Sequence, residues 1–176
     1  METQGNADPA GAARRALDAG AEEVVVLCTG ALGGQMLAAL RSLTRVRLRV
    51  TIATFDETVA ERLSLSGRPR ELVATLARAG AVGLPVDVVL PIAQGLGPVA
   101  GRLHGLARAA PKVSRYLLAP VPDDLAPLEP EAIESEVTSA KEAADELGMP
   151  LSTDDDTRID TELQAVLAGI KPVIRL

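Results

Sequence analysis

Few residues in this 176-residue chain can do chemistry. It has one cysteine (Cys28), one histidine (His104), one tyrosine, one phenylalanine and no tryptophan. Cys28 closes the apolar run Val24–Cys28 with no general base beside it, and reads as a small buried hydrophobe. His104 falls in the helix-patterned stretch Val99–Ala109 with Arg108 four residues on, a surface or core-edge position. No nucleophile elbow accompanies it. A single cysteine excludes an internal disulfide and any cluster or zinc site built from several cysteines of this chain.

Three constellations remain. The turn Thr29-Gly30-Ala31-Leu32-Gly33-Gly34 follows an apolar run and opens a helix, where free backbone N–H groups and the positive helix end can hold an anion or phosphate. It matches neither G-x-G-x-x-G nor the Walker pattern, and a tight strand–helix turn needs the same small residues. Thr51, Thr54 and Asp56 follow the second apolar run and could contact a ligand hydroxyl; a turn and a helix N-cap account for Thr54 and Asp56 equally well. Phe55 between them is expected to plug the mouth of the sheet. Asp154, Asp155 and Asp156, with Asp160, offer the carboxylate oxygens that hard cations prefer. Their spacing lacks the EF-hand glycine and glutamate, so the default is a solvated acidic cap and no metal. None of these sets is a self-contained catalytic constellation.

The elements that must position these residues follow a βα rhythm. Val24–Cys28, Leu48–Ala53, Val86–Pro91 and Tyr116–Ala119 are apolar runs separated by helix-patterned stretches, the sequence form of a parallel sheet. Such sheets carry function at the C-terminal ends of their strands. The continuous Val24–Cys28 run predicts a strand buried on both faces. Asp8-Pro9 predicts a helix start, Gly20 a stop after Leu17, Gly80 the end of a helix over Glu71–Ala79, and Gly148 the end of Glu131–Leu147. Pro120, Pro122, Pro127 and Pro130 mark an extended connection. A last helix at Asp160–Leu167 and an edge strand at Val173–Leu176 complete the expectation. Residues 1–7 are polar and expected to be disordered; 8–176 read as one domain.

An apolar fraction of 47% with 1% aromatics requires a core of Val, Leu, Ala and Ile. The net charge of −6 hides an asymmetry: residues 1–118 carry net +4 and residues 119–176 net −10. Solvated helix faces are the ordinary explanation; intramolecular docking or a basic partner is the other. Arg47 and Arg49 alternate with Val46, Leu48 and Val50, which places them on the polar face of one strand. Without interleaved aromatics these arginines do not form a nucleic-acid-binding pattern. No apolar run reaches the roughly 20 residues needed to cross a bilayer. With no signal-peptide segment at the N-terminus, a cytoplasmic location is expected.

The stretch from about Ala12 to Leu151 resembles the central part of the radical SAM barrel. The match is clearest over residues 50–92, VTIATFDETVAERLSLSGRPRELVATLARAGAVGLPVDVVLPI. That run is similar to the family's strand, short acidic helix, break (Leu65-Ser66-Gly67-Arg68-Pro69), long helix, turn (Ala79-Gly80 through Pro85) and strand. Leu17-Asp18-Ala19-Gly20-Ala21 before Val24–Cys28-Thr29-Gly30 resembles the approach to the family's GGEP loop. The family's CxxxCxxC, which holds a [4Fe–4S] cluster, is absent. Gly30-Ala31-Leu32-Gly33 stands where an acidic residue would grip the amine of S-adenosylmethionine. The following strand ending near "TNG" is missing as well. The resemblance therefore implies a shortened scaffold with no iron–sulfur cluster and no cleavage of S-adenosylmethionine by this chain alone.

The expected architecture is α/β: a parallel, twisted sheet or partial barrel of four to five strands with helices on its outer face. An incomplete barrel leaves an apolar edge strand, and natural proteins cover or pair such edges. Association through that edge, as a homo-oligomer or with a partner protein, follows as an expectation. The leading functional expectation is a non-catalytic radical-SAM-like accessory protein in a peptide-maturation or natural-product pathway. The alternatives are a small-molecule-binding α/β enzyme that uses the Gly30–Gly34 turn, and a split subunit completed by a cysteine-bearing partner.

Overall fold

The computed structural model describes residues 8–65, 67–110, 112–120 and 128–153. Within them the chain alternates helix and strand: α1 (Pro9–Asp18), β1 (Val24–Cys28), α2 (Gly34–Arg41), β2 (Val46–Thr51), α3 (Glu57–Arg62), α4 (Pro69–Val82), β3 (Val86–Ile92), α5 (Val99–Ala109), β4 (Arg115–Pro120), α6 (Pro130–Leu147) and β5 (Leu151–Ser152). The strands form one parallel sheet in the order β1-β2-β3-β4-β5, and the sheet is not closed.

Local chemistry sets the element ends. The Asp8 carboxylate accepts the Gly11 N–H at 3.0 Å, and Pro9 supplies the fixed φ of a first helical residue. Gly148, at φ +64°, turns the chain out of α6 in the left-handed region. Gly80 does not end its helix, as the sequence led us to expect. The helix α4 continues to Val82 and stops at Gly83, φ +71°. Gly80 lies inside it because a Cβ there would come within 2.9 Å of the Lys112 Cβ, so its job is close approach.

Consecutive strand order with right-handed crossovers puts the crossover helices on one face of the sheet. Strand alternation then splits the side chains. Leu48, Val50 and Ile52, with Val86, Val88, Leu90, Tyr116 and Leu118, join the helices' Leu37, Leu40, Leu72, Leu76, Leu103 and Leu106 in the main core. On the opposite, concave face a second cluster of Ala53, Val89, Ala93, Leu96, Leu117 and Ala119 lies near the C-terminal ends, with Leu63 and Leu65 packed against it. Phe55 does not plug this mouth. It packs with the helix-side core, its ring where a Cβ on Gly105 would stand.

Strand β3 is buried along its whole length. Strand β1 is not buried on both faces, a correction to the pattern-based expectation: among the described residues it is the sheet's edge, and Leu27 is 47% exposed. An apolar run alone does not tell a central strand from an uncovered edge. The two-residue strand β5 pairs beside β4 through Tyr116↔Leu151 and Leu117↔Ser152, an element the sequence pattern did not reveal. The expected disordered segment 1–7, the helix at Asp160–Leu167 and the strand at Val173–Leu176 lie outside the described residues.

Tyr116 is 2% exposed, and burial pushes its phenol up to about 12. It is the chain's one tyrosine, so phenolate absorbance reports it alone. Stopped-flow pH jumps that read the native protein should place its midpoint about two units above the ordinary value of about 10. A midpoint at that ordinary value would mean that water reaches the Tyr116 hydroxyl.

Candidate functional site

Two sets of charged groups are built into the sheet, and neither coincides with a constellation picked out from the sequence. On the concave face, near the N-terminal ends of β3 and β4, Asp87 of β3 is wholly buried. Strand register sets Arg49 of β2 and Arg115 of β4 directly beside it. The Arg47 Nη1 and Arg115 Nη2 each donate to an Asp87 carboxylate oxygen at 2.8 Å, and the Arg49 Nη2 lies at 3.8 Å. Arg47 also reaches Glu23 at 3.3 Å. Arg47 and Arg49 therefore share one face, as their alternation predicts, but Arg49 is only 4% exposed and belongs to an ion-pair network. The sequence signal was available: Asp87 is the one charge in the apolar run of β3.

At the C-terminal ends of the strands, Arg102 of α5 turns inward. Its Nη1 donates to the Ile52 carbonyl at 3.1 Å, and its Nη2 donates to the Pro91 carbonyl at 2.7 Å. Burial lowers its pKa to about 10, against the raising effect of Glu136, so the guanidinium stays charged at neutral pH. Glu136 of α6 accepts the Val99 N–H at 3.0 Å, placing a carboxylate at the positive start of α5. A cleft of about 350 Å³ opens here, lined by Gln94, Gly95, Gly97, Arg102, Ser135 and Glu136. Sequence reading missed Arg102, although three residues from Val99 and four before Leu106 it must fall on the buried face of α5.

The sequence-derived candidates come together only in part. Thr29 and Gly30 share a cleft of about 290 Å³ with Glu57, Glu61, Gly67 and Arg68. Gly67, at φ +82°, lies so close to the Thr29 carbonyl that no Cβ could be added. Gly33 and Gly34 line none of this cleft; they start α2, with Gly33 as its cap. The Leu32 N–H, between Gly30 and Gly33, donates to the Thr75 Oγ1 at 3.1 Å. Thr51 is buried and, by alternation, belongs to the concave face. The Thr54 Oγ1 accepts the Asp56 N–H at 3.1 Å, and the Asp56 carboxylate accepts the N–H groups of Thr58 and Val59 at 2.8 and 3.1 Å. These two serve as turn and helix cap.

The Cys28 Sγ donates to the Gly30 carbonyl at 2.9 Å, and burial pushes its thiol up, away from a reactive thiolate. His104 is exposed on α5, its Nδ1 3.2 Å from the Ala100 carbonyl. Asp154, Asp155, Asp156 and Asp160 lie outside the described residues. Among the described residues, no group of three or more His, Cys, Asp or Glu side chains is placed to hold a metal ion, and no helix is long and apolar enough to cross a membrane.

Neither protein-family models nor curated proteins yield a match to this sequence. The shared ground with the radical SAM barrel is thus the parallel α/β sheet alone.

Both networks should be felt as stability. Arg102→Met keeps the length of the side chain but leaves the Ile52 and Pro91 carbonyls without their donor, at a cost of about 2–4 kcal/mol. Asp87→Asn removes the charge on which three arginines converge, at a cost of about 3–5 kcal/mol. Urea unfolding followed by circular dichroism measures both; a loss below about 0.5 kcal/mol for either would contradict the role given to it.

Proposed function

We propose that this chain is a non-catalytic accessory protein on a radical-SAM-like scaffold, acting by holding a partner in a peptide-maturation or natural-product pathway. The observation that carries this reading is what the polar groups at the strand ends do. Arg102 binds the carbonyls of Ile52 and Pro91, Glu136 caps α5, Asp56 caps α3, Thr54 closes a turn and Thr75 takes the Leu32 amide. In a catalytic α/β protein, side chains in these places point at substrate. Here each completes the backbone. The sequence resemblance supports the same reading, since it covers the frame and omits the cysteines and the acidic amine-binding residue.

One observation favours a second reading, a small-molecule-binding α/β protein. The cleft beside Arg102 and Glu136 lies at the strand ends and has the volume of a small metabolite pocket, roughly 300 Å³ or more.

Anaerobic reconstitution with iron and sulfide, followed by iron analysis and thermal melts with S-adenosylmethionine, magnesium ion and nucleotides, separates these readings. The accessory protein stays colourless, holds less than one iron per chain and melts at an unchanged temperature throughout. A brown protein with several irons per chain overturns it. A melting shift with one small ligand, lost in Ser135→Ala, moves the assignment to the second reading.

A further inference from the structure

The edge of the sheet at β1 carries an inference that goes beyond the functional reading above and stands independently of it. Edge strands are normally blunted by lysine, proline, a bulge or a short length. Val24–Cys28 has no charge and no proline, pairs in unbroken register with β2, and has no partner on its other side among the described residues.

The direction of its free groups follows from one bond. The Val24 N–H donates to the Arg45 carbonyl of the segment entering β2 at 2.9 Å. In a parallel ladder, alternate residues turn both backbone groups to the same neighbour. Val24, Val26 and Cys28 therefore face β2, and Val25 and Leu27 direct N–H and C=O outward. The side chains of these two alternate onto the concave face, where Val25 is half-buried and Leu27 is 47% exposed.

We propose that β1 is the interface of a homodimer, in which two copies pair antiparallel about a two-fold axis at Val26 and join their sheets. In that register Val25 meets Leu27 of the other copy twice, and each meeting is a hydrogen-bonded pair that exchanges two backbone bonds. Val26 meets its own copy as the intervening non-hydrogen-bonded pair. Apolar side chains lie opposite apolar ones on both faces. Glu23 falls opposite Thr29 and Glu22 opposite Gly30, so like charges are kept apart. An axis at Val25 sets Glu23 against Leu27, and an axis at Leu27 sets Val25 against the hydroxyl of Thr29. The strand is self-complementary about Val26, the requirement of an isologous contact, and this selects a second copy of the chain over an unrelated partner.

Light scattering and sedimentation of the full-length chain, from low micromolar to sub-millimolar concentration, test the pairing. The wild type runs at twice the chain mass. Leu27→Lys, at an exposed position that tolerates a polar side chain, weakens association about a hundredfold or more while circular dichroism stays native. In the wild type, the Val25 and Leu27 amides exchange slowly with solvent; in Leu27→Lys they exchange fast, and those of Val24, Val26 and Cys28 remain protected. If Leu27→Lys fails to fold, Val25→Lys and the wild-type exchange pattern decide. A wild type that stays monomeric, including one that associates only with another protein, overturns the proposal. A dimer that survives the lysine variants, with the Val25 and Leu27 amides exchanging fast, overturns it as well.

Discussion

Asp87 holds the middle of the sheet together. A wholly buried carboxylate is costly unless it is paired and hydrogen-bonded, and here arginines from both adjoining strands meet it. The consequence is positional. Arg49 and Arg115 reach one carboxylate only if Arg49, Asp87 and Arg115 stand level across β2, β3 and β4, as they do. A slip of one residue in β3 turns Asp87 into the apolar helix-side core and Val86 or Val88 onto the arginines. The ion-pair network thus works as a register pin for a central strand whose remaining residues, Val, Leu, Ile and Pro, would slide past their neighbours with little penalty.

A second charged group does comparable work at the other end of the strands. Arg102 donates to the carbonyls of Ile52 and Pro91, at the ends of β2 and β3, where the ladder runs out of strand N–H donors because Pro91 has none. It reaches them from α5, so the helix is tied to both strands by hydrogen bonds as well as by Leu103 and Leu106 in the core. The concave face accordingly has three zones: Asp87 and its arginines, an apolar cluster from Ala53 to Ala119, and a rim closed by Leu63 and Leu65. Small aliphatic side chains suffice there because the segment after α3 folds over the rim. A chain with 1% aromatics has few large rings with which to fill it otherwise.

The sequence made the secondary structure legible where one local rule governs. The helix Val99–Ala109 coincides with α5, and Asp8-Pro9 and Gly148 mark the ends they were expected to mark. Legibility failed where the deciding partner is distant. Gly80 looked like a terminator because glycine has two uses, and only Lys112, more than thirty residues on, shows which applies. The apolar run of β1 looked doubly buried because periodicity cannot say whether a neighbour exists. Leu151–Ser152 is too short to carry a pattern at all. The candidate site fared worse for the same reason. Thr54 and Asp56 were assigned a local alternative, capping, and local bonds are what they make. Asp87 and Arg102 escaped notice because their roles depend on carbonyls and guanidinium groups brought in from other strands.

These two arginine-centred networks bear on what the molecule can do. A catalytic group must change protonation, bond order or position during a cycle, and a group that also fixes strand register or a helix end is constrained in all three. Asp87, Arg49 and Arg102, the buried charges among the described residues, are all so constrained. Functional freedom in this fold therefore lies where the backbone is still unsatisfied and the side chains make no structural bond, and that condition points away from the strand ends. It is met at the edge of β1, where the apolar alternation that builds the core continues outward with none of the described residues placed to stop it.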